Sequence, residues 1–295
     1  MNIKFSIVIP LYNKENNIRE TISSILKQDF KDYEIVVIDD GSTDNSFDIV
    51  TSLAHISGRI KLYSYANAGV SVARNRGIEK STGSFIIFLD ADDVLFDGYL
   101  LDANETVDKI NGDFALLGYN YLINNKPSVP LDYPDGYINY FELYLKFGPP
   151  FCSSSVIMNK ACIKNSSETF PPGEWLGEDI YAWSKIILRG GKVYFRNKVA
   201  SKYVIEASGA MTKKKTLIKL LRDDSELISN EQFFLDFLLL HKKDYLRSCL
   251  VNGDYNEVKK FLADNKGKEM RLYKMICYIP HIIIKAILIV KRKFK

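Results

Sequence analysis

Short runs of apolar, mostly β-branched residues alternate with helical patterns over the first third of the sequence, and this alternation constrains the fold more than any other feature. The predicted strands are residues 5–10, 33–38, 60–65 and 84–89, and the predicted helices between them are residues 15–28, 47–53 and 70–80. Strands that are apolar throughout are typical of parallel strands covered on both faces. The pattern therefore predicts a Rossmann-like α/β unit, whose mixed, mostly parallel sheet is flanked by helices.

The remainder of the chain changes character twice. Between residues 114 and 203, strands are predicted at 114–119, 154–158 and 193–195, and helices at 137–146 and 179–188. After about residue 213 the strand signals fade, so we expect an α/β domain over residues 1–212 and a helical C-terminal extension over residues 213–295. Residues 273–290 are mostly apolar and a cationic end follows at 291–295, which favours a helix over 273–295 that lies on a membrane surface. A helix docked on the domain is the alternative.

Composition excludes several classes of protein. With 295 residues, 46% of them hydrophobic, the chain can bury a core and is neither a disordered tail nor a disulfide-stapled miniprotein. A net charge of +4 is too small to indicate nucleic-acid binding. The four cysteines lack the spacing of a zinc site, and the N-terminus lacks the pattern of a signal peptide. We therefore expect reduced thiols and a cytoplasmic location.

Two groups of carboxylates follow predicted strands. Asp39 and Asp40 close the second strand, and Asp90, Asp92 and Asp93 close the fourth. Each group alone has an ordinary explanation, turn and capping chemistry for the first and a solvated loop for the second. Carboxyl ends of parallel strands meet at one edge of a sheet, where ligands bind, and converging carboxylates persist most easily around a cation. Together they indicate a site for Mg²⁺ or Mn²⁺ and a diphosphate.

The diphosphate has no glycine-rich loop to hold it. Residues 10–17, after the first strand, contain no glycine, and a Walker A sequence is missing as well. Arg74 and Arg76 are the nearest cationic candidates, and a helix that begins near Gly69 adds its N-terminal dipole. A solvated helix face is the alternative explanation for the two arginines.

Five sequence pieces together resemble the inverting family-2 glycosyltransferases of the GT-A fold. In chain order they are SIVIPLYN at 6–13, VIDDGSTD at 37–44, NAG at 67–69 with ARNRG at 73–77, FLDADD at 88–93, and GED at 177–179. They span about two thirds of the chain. The resemblance implies that residues 1–212 bind a nucleotide sugar and carry catalysis.

The resemblance also implies roles for donor-side residues. Pro10 and Tyr12 would line the pocket of the nucleotide base, and Asp40 would accept a hydrogen bond from a uracil-type base. Asp90 would face the ribose, and Arg74 would approach the diphosphate. A UDP-sugar is the donor that this set of residues implies.

The metal and the catalytic base follow from the same resemblance. Asp92 would ligate Mn²⁺ or Mg²⁺ with help from Asp93, and Asp179 would be the general base; acids at a helix N-terminus are the ordinary explanation for the last. Family members often carry a histidine shortly after the base to complete the metal site. This sequence has Tyr203 and Glu206 in that region and no histidine there, so Glu206 is a candidate substitute.

The expected activity is metal-dependent transfer of a sugar to a hydroxyl of a glycan or lipid-linked saccharide in cell-surface polysaccharide synthesis, at the cytoplasmic face of the membrane. A catalytically silent nucleotide-sugar-binding protein and a sugar-1-phosphate nucleotidyltransferase are the alternatives. Phe151, Trp175 and Tyr181 flank the expected base and could pack on an acceptor sugar, although such aromatic residues are more often core. Trp175, in a Pro/Gly-rich stretch, is the one most expected to be exposed.

Overall fold

The computed structural model describes residues 4–203, 219–222, 231–265 and 273. Its strands are β1 (Phe5–Leu11), β2 (Tyr33–Asp39), β3 (Ile60–Ser64), β4 (Phe85–Phe88), β5 (Val94–Leu95), β6 (Leu116–Ile123), β7 (Lys126–Pro127), β8 (Gly136–Ile138), β9 (Val156–Asn159) and β10 (Val193–Tyr203). Its α-helices are α1 (Ile18–Leu26), α2 (Ser46–Ile56), α3 (Val70–Lys80), α4 (Tyr99–Lys109), α5 (Tyr140–Phe147), α6 (Glu178–Leu188), α7 (Lys219–Arg222), α8 (Gln232–Asn252) and α9 (Tyr255–Asp264).

Within these described residues the strands form one ten-stranded mixed sheet, in the order β3-β2-β1-β4-β9-β6-β10-β5. The strands β3, β2, β1 and β4 are parallel, as the alternating pattern predicts, and β10 is parallel to β6. The strand β9 lies between the two parallel groups and joins them, since it pairs with β4 on one side and β6 on the other. It runs antiparallel to both. Short β7 pairs with β6, and β8 pairs with β10. The predicted α/β class, with its mixed sheet, is confirmed.

The strand register brings the chain segments after β1, β2 and β4 to one edge. Val8 of β1 lies between Val36 of β2 and Phe88 of β4, and Leu11 pairs with Asp39. Each strand is buried on both faces, which explains its continuous apolar sequence. The loops that carry the two groups of aspartates therefore begin side by side.

Side chains of β1 alternate between two apolar layers. Ile7 and Ile9 face the layer that contains α1 and α4, whereas Val8 faces the layer that contains α3. The helix α3 lies very close to β1 at Gly77, where a Cβ atom would come within 2.1 Å of the Val8 Cγ1 atom. The glycine of ARNRG thus allows the helix to approach the sheet, and this approach fixes the depth of the arginines on α3.

Several local expectations need correction. The helix predicted at 137–146 begins only at Tyr140, because Gly136–Ile138 pairs with β10 as β8. The helix α4 was not predicted from the sequence at all. Among the described residues, Cys152, Cys162 and Cys249 are not in disulfide bonds.

The described part of the C-terminal region is helical. Phe234 and Phe237 of α8 pack against Phe141 of α5, with ring centroids 4.9 and 5.1 Å apart. No helix in the described ranges is long and apolar enough to cross a bilayer. The membrane-surface helix expected at 273–295 lies outside the described residues, apart from position 273, and the domain boundary at 212 stays a prediction.

Replacement of Gly77 by alanine tests the close packing of α3. Helix propensity alone would stabilise the protein by about 1 kcal/mol. Because the new Cβ atom collides with Val8, we expect instead a loss of about 1–3 kcal/mol in the free energy of unfolding. Urea unfolding measures the difference. Gly58→Ala is the matched control, since no atom lies within 4 Å of its Cβ position; a stabilised Gly77→Ala protein would contradict the packing.

Candidate active site

The turn after β1 is held by the turn after β2. Asn13 adopts a left-handed conformation (φ +51°), its N–H donates to Ser42 Oγ, and its side-chain oxygen accepts from the Thr43 N–H at 2.8 Å. The N–H of Lys14 donates to Ser46 Oγ at 2.8 Å. The motifs at 6–13 and 37–44 therefore form one connected surface at the carboxyl ends of their strands.

Asp40 connects that surface to the start of α3. Its buried carboxylate accepts from the N–H groups of Ala68 (3.0 Å) and Gly69 (2.7 Å), so it caps the N-terminal end of the helix. Gly69 can take its φ of +90° because it has no side chain. Arg76 Nη1 lies 3.4 Å from Asp40 Oδ1, with its guanidinium over the ring of Tyr65. Asp40, Gly69 and Arg76 thus lie together.

Tyr12 and Pro10, the expected base-pocket residues, occupy the end of β1. The Tyr12 side chain is 48% exposed and follows directly on the strand. Pro10 pairs with Ile38 of β2, within the parallel register. Both residues lie beside the Asp40 loop, because Asp40 N–H donates to the carbonyl of Leu11 at 2.8 Å.

The acidic loop after β4 contacts residues that are distant in sequence. The N–H of Asp90 donates to Ser154 Oγ at 3.0 Å. The Asp92 Oδ2 atom pairs with Lys14 Nζ at 2.6 Å, which ties this loop to the turn after β1. Asp93 is buried, next in sequence to Asp92. The loop therefore has both a buried and a partly exposed carboxylate.

Arg74 joins the acidic loop to the helix α6. Its side chain is only 4% exposed; Nη2 donates to Asp90 Oδ1 at 2.8 Å, and Nη1 donates to Glu178 Oε1 at 2.7 Å. Burial disfavours its charge, but the neighbouring carboxylates of Asp90, Glu178 and Asp179 outweigh that effect and raise the pKa of Arg74. A planar guanidinium is suited to hold two carboxylates at once.

Asp179 follows Glu178 in the first turn of α6. Burial and, to a smaller extent, the charge of Glu178 raise the pKa of its carboxyl, Arg74 opposes both effects, and the resulting pKa is about 6. Its Oδ1 atom accepts from the Ile180 N–H at 2.7 Å, and Ser153 Oγ lies 3.4 Å from Oδ2. A carboxylate with such a pKa is ionised at neutral pH and is more basic than an ordinary aspartate.

The loop before α6 is fastened to the start of α3. Ser71 Oγ donates to the carbonyl oxygen of Glu174 at 2.9 Å. The next residue, Trp175, is 38% exposed, as expected, whereas Phe151 and Tyr181 are buried in the core. An exposed aromatic ring therefore lies in the loop that leads to Asp179.

These contacts connect all five sequence pieces into one site. The sequence profile described as Glycosyl transferase family 2 matches residues 6–158, which contain four of the pieces. The chain belongs to glycosyl transferase family 2. The fifth piece, with Asp179, lies beyond the matched residues, and contacts from Arg74 and Ser153 attach it to the matched part.

Two glycosyltransferases show how far the sequence of this family-2 chain is similar to that of other proteins. Glycosyltransferase GlyA of Streptococcus pneumoniae is 27% identical over 267 residues, which cover 85% of this chain and 38% of that protein. The GalNAc(5)-diNAcBac-PP-undecaprenol beta-1,3-glucosyltransferase of Campylobacter jejuni is 33% identical over 132 residues, which cover 44% of this chain and 42% of that enzyme. The matches thus take in less than half the length of either relative.

Solved structures share the fold of the family-2 chain. The S. aureus TarS 1-349 structure in complex with UDP-GlcNAc has a TM-score of 0.65 at 22% identity, over 84% of this chain and 72% of that chain. The mannosyltransferase PcManGT from Pyrobaculum calidifontis, in complex with GDP-Man and Mn²⁺, has a TM-score of 0.64 at 16% identity, over 96% of this chain and 86% of that chain. At these identities the likeness concerns the fold.

The carboxylate oxygens of the acidic loop are suited to bind a metal ion together with the phosphates of a substrate. Within the described ranges, no three His, Cys, Asp or Glu side chains are grouped closely enough to hold a metal ion by themselves. Asp92 and Asp93 nevertheless offer hard carboxylate oxygens, and Mg²⁺ characteristically binds one or two such groups together with substrate phosphates. Asp92 is paired with the ammonium of Lys14, a compact charge on a flexible stem. The residues therefore fit a cation that arrives with a diphosphate.

The two histidines among the described residues belong to α2 and α8. His55 lies in the last turn of α2, and His241 of α8 packs against Tyr144 and Phe237. Glu206, the candidate substitute, lies outside the described residues. The metal roles of Asp92 and Asp93 stay predictions.

Three residues of the site were not predicted from the sequence. Ser153 and Ser154 sit in a short 3-10 turn, and nothing in their sequence pointed to Asp179 or Asp90. Lys14 directly follows the first motif, and that adjacency was an available signal. Arg74 was expected at the diphosphate, whereas in the structure both of its terminal nitrogens contact carboxylates.

Replacement of Arg74 by methionine tests the buried charge network. Removing a cation among buried carboxylates leaves them uncompensated, so we expect a loss of about 3–5 kcal/mol in the free energy of unfolding at pH 8. Arg74 lowers the pKa of Asp179, so in the variant this carboxyl takes up a proton more readily as the pH falls. The loss should therefore be smaller at pH 5.

Urea unfolding at both pH values measures this difference. Arg76→Met is the matched control, because its guanidinium is more exposed and its pair with Asp40 is longer; we expect it to cost about 1 kcal/mol or less. If both variants lose the same free energy of unfolding at both pH values, the buried charge network around Arg74 is contradicted.

Proposed function

We propose that this chain is an inverting glycosyltransferase that moves a sugar from a UDP-sugar to a hydroxyl of a glycan or lipid-linked saccharide. The observation that carries the proposal is the double contact of Arg74, which places the donor-side Asp90 next to the helix that bears Asp179. The solved relatives with UDP-GlcNAc and GDP-Man support a nucleotide-sugar donor. The undecaprenol-linked acceptor of the Campylobacter relative supports a lipid-linked saccharide.

In this proposal Asp179 removes the proton of the acceptor hydroxyl. The acceptor oxygen forms a bond to the anomeric carbon while the bond from that carbon to the diphosphate oxygen breaks. The proton ends on the Asp179 carboxylate, and the bonding electrons leave with UDP. A single in-line displacement inverts the anomeric centre. The pKa of about 6 suits this task, because the carboxylate is ionised at pH 7 and still accepts a proton effectively.

The donor is held at the edge formed by β1, β2 and β4. Tyr12 and Pro10 flank the base, Asp40 accepts a hydrogen bond from it, and Asp90 faces the ribose. Asp92 and Asp93 would hold Mn²⁺ or Mg²⁺, which supplies positive charge to the departing diphosphate. A role for the dipole of α3 at the diphosphate follows from the position of Gly69 at its N-terminus.

Trp175 is the candidate platform for the acceptor. Its exposed ring lies four residues before Asp179, and its loop is fastened to α3 by Ser71. Aromatic faces pack well on the apolar faces of sugar rings. Peripheral attachment at the cytoplasmic face of a membrane, in polysaccharide synthesis, remains part of the proposal through residues 273–295.

Release of UDP tests the proposed reaction. Purified protein is incubated with a panel of UDP-sugars, with Mn²⁺ or with EDTA, in the presence of bacterial lipid extract or oligosaccharide acceptors. We expect release from at least one UDP-sugar and a loss of at least about tenfold when EDTA removes the cation. Product anomers resolved by NMR should be inverted. A silent binding protein would bind UDP and release none from any donor.

Asp179→Asn separates catalysis from binding. The amide cannot accept the acceptor proton, so kcat should fall by a factor of about 10²–10⁴, while the Kd for UDP stays within about threefold. In the wild type, kcat/KM should decline below about pH 6, because protonation of Asp179 removes the base. If kcat/KM declines only near pH 4, or if the Asp179→Asn enzyme is active, another residue is the general base.

A further inference from the structure

We propose that Lys14 is an exchangeable counter-ion of Asp92, which makes binding of the divalent cation depend on the nucleotide diphosphate. This inference rests on the proposed function and concerns the order in which the site fills. It starts from the 2.6 Å contact between Lys14 Nζ and Asp92 Oδ2, which joins residues 78 positions apart.

The backbone at Lys14 is fixed by the surrounding turn. Its own N–H donates to Ser46 Oγ, and Asn13 before it is bonded to Thr43. The carboxylate of Glu15 accepts from the N–H and the side-chain amide of Asn45. Because the backbone is held on both sides, the ammonium stays within reach of Asp92 while its four-carbon stem can still change rotamer.

The exposure of the pair permits exchange. The side chains of Lys14 and Asp92 are 25% and 19% exposed, so neither charge is sealed in the core. Arg74 contrasts with this, because its side chain is only 4% exposed. Of these two cations, Arg74 is a permanent part of the site, whereas the ammonium of Lys14 can leave its carboxylate.

Electrostatics then couples the two ligands. The ammonium of Lys14 would have to leave Asp92 for a divalent cation to bind there, and the two positive charges would repel each other, so binding of the cation alone would be penalised. When a diphosphate is present, the released ammonium gains a new anionic partner, and lysine is well suited to contact phosphate as a point charge. The cation and the nucleotide therefore raise each other's affinity, and the two factors must be equal.

Titration of Mn²⁺ tests this coupling without any turnover. Free Mn²⁺ is followed by electron paramagnetic resonance, in the absence and presence of saturating UDP, for the wild type and for Lys14→Met. Methionine keeps much of the length of the side chain but carries no charge. We expect Lys14→Met to bind Mn²⁺ alone about tenfold more tightly than the wild type, and the enhancement by UDP to shrink by about fivefold or more.

Lys4→Met is the matched control. Lys4 forms a similar ion pair with Asp108, at 2.7 Å, but it precedes β1 and so lies at the other end of that strand. This variant should keep the Mn²⁺ affinity and the UDP enhancement of the wild type. Lys14→Gln provides a second uncharged variant, and circular dichroism confirms that each protein is folded.

The outcomes distinguish this inference from the proposed function. If Lys14→Met and Lys14→Gln keep the wild-type affinity for Mn²⁺ alone and the wild-type UDP enhancement, while UDP-sugar turnover persists, the role of Lys14 is wrong and the transferase proposal stands. If UDP binds the wild type equally well with EDTA, and Lys14→Met abolishes that binding, Lys14 replaces the cation and the coupling is refuted. If the wild type neither binds UDP nor turns over any UDP-sugar, both proposals fail.

Discussion

The ion pairs of Arg74 are the interaction on which the rest of the site depends. A buried guanidinium is costly unless carboxylates surround it, and here Asp90 and Glu178 come from segments that are 88 residues apart in sequence. Arg74 lies on α3, three residues before Gly77, where the helix is very close to Val8 of β1. One contact thus joins the loop expected to hold the donor to the helix expected to hold the base. The same charge limits how far burial raises the pKa of Asp179.

The cationic side chains at the edge of the sheet differ in their exposure and in the groups that they contact. Arg74 is buried, forked and bonded twice, which fits a fixed structural position. Lys14 is partly exposed and carries a compact charge on a flexible stem, which fits a group that changes partner on ligand binding. Arg76 is as exposed as Lys14, and its guanidinium lies beside Asp40 and over the ring of Tyr65.

Local patterns predicted much of the fold but not its long-range pairing. The parallel strands near the N-terminus and the helix α3 were predicted because apolar runs and helical spacing are local properties of the sequence. The antiparallel strand β9, and the strand β8 in place of the start of a helix, depend on partners far along the chain. The same limit applies to the site. Its aspartates were recognised from their motifs, but the partners of Arg74 and the contacts of Ser153 and Ser154 required three-dimensional proximity.

A crystal structure with UDP and Mn²⁺ bound would show whether these residues form one site around the donor. We expect anomalous density for Mn²⁺ between the diphosphate and Asp92, with Arg74 still bonded to Asp90 and Glu178 and with Asp179 facing the position of the donor sugar. UDP bound away from the Asp40 and Asp92 loops, or Arg74 separated from Glu178 in the complex, would contradict this expectation.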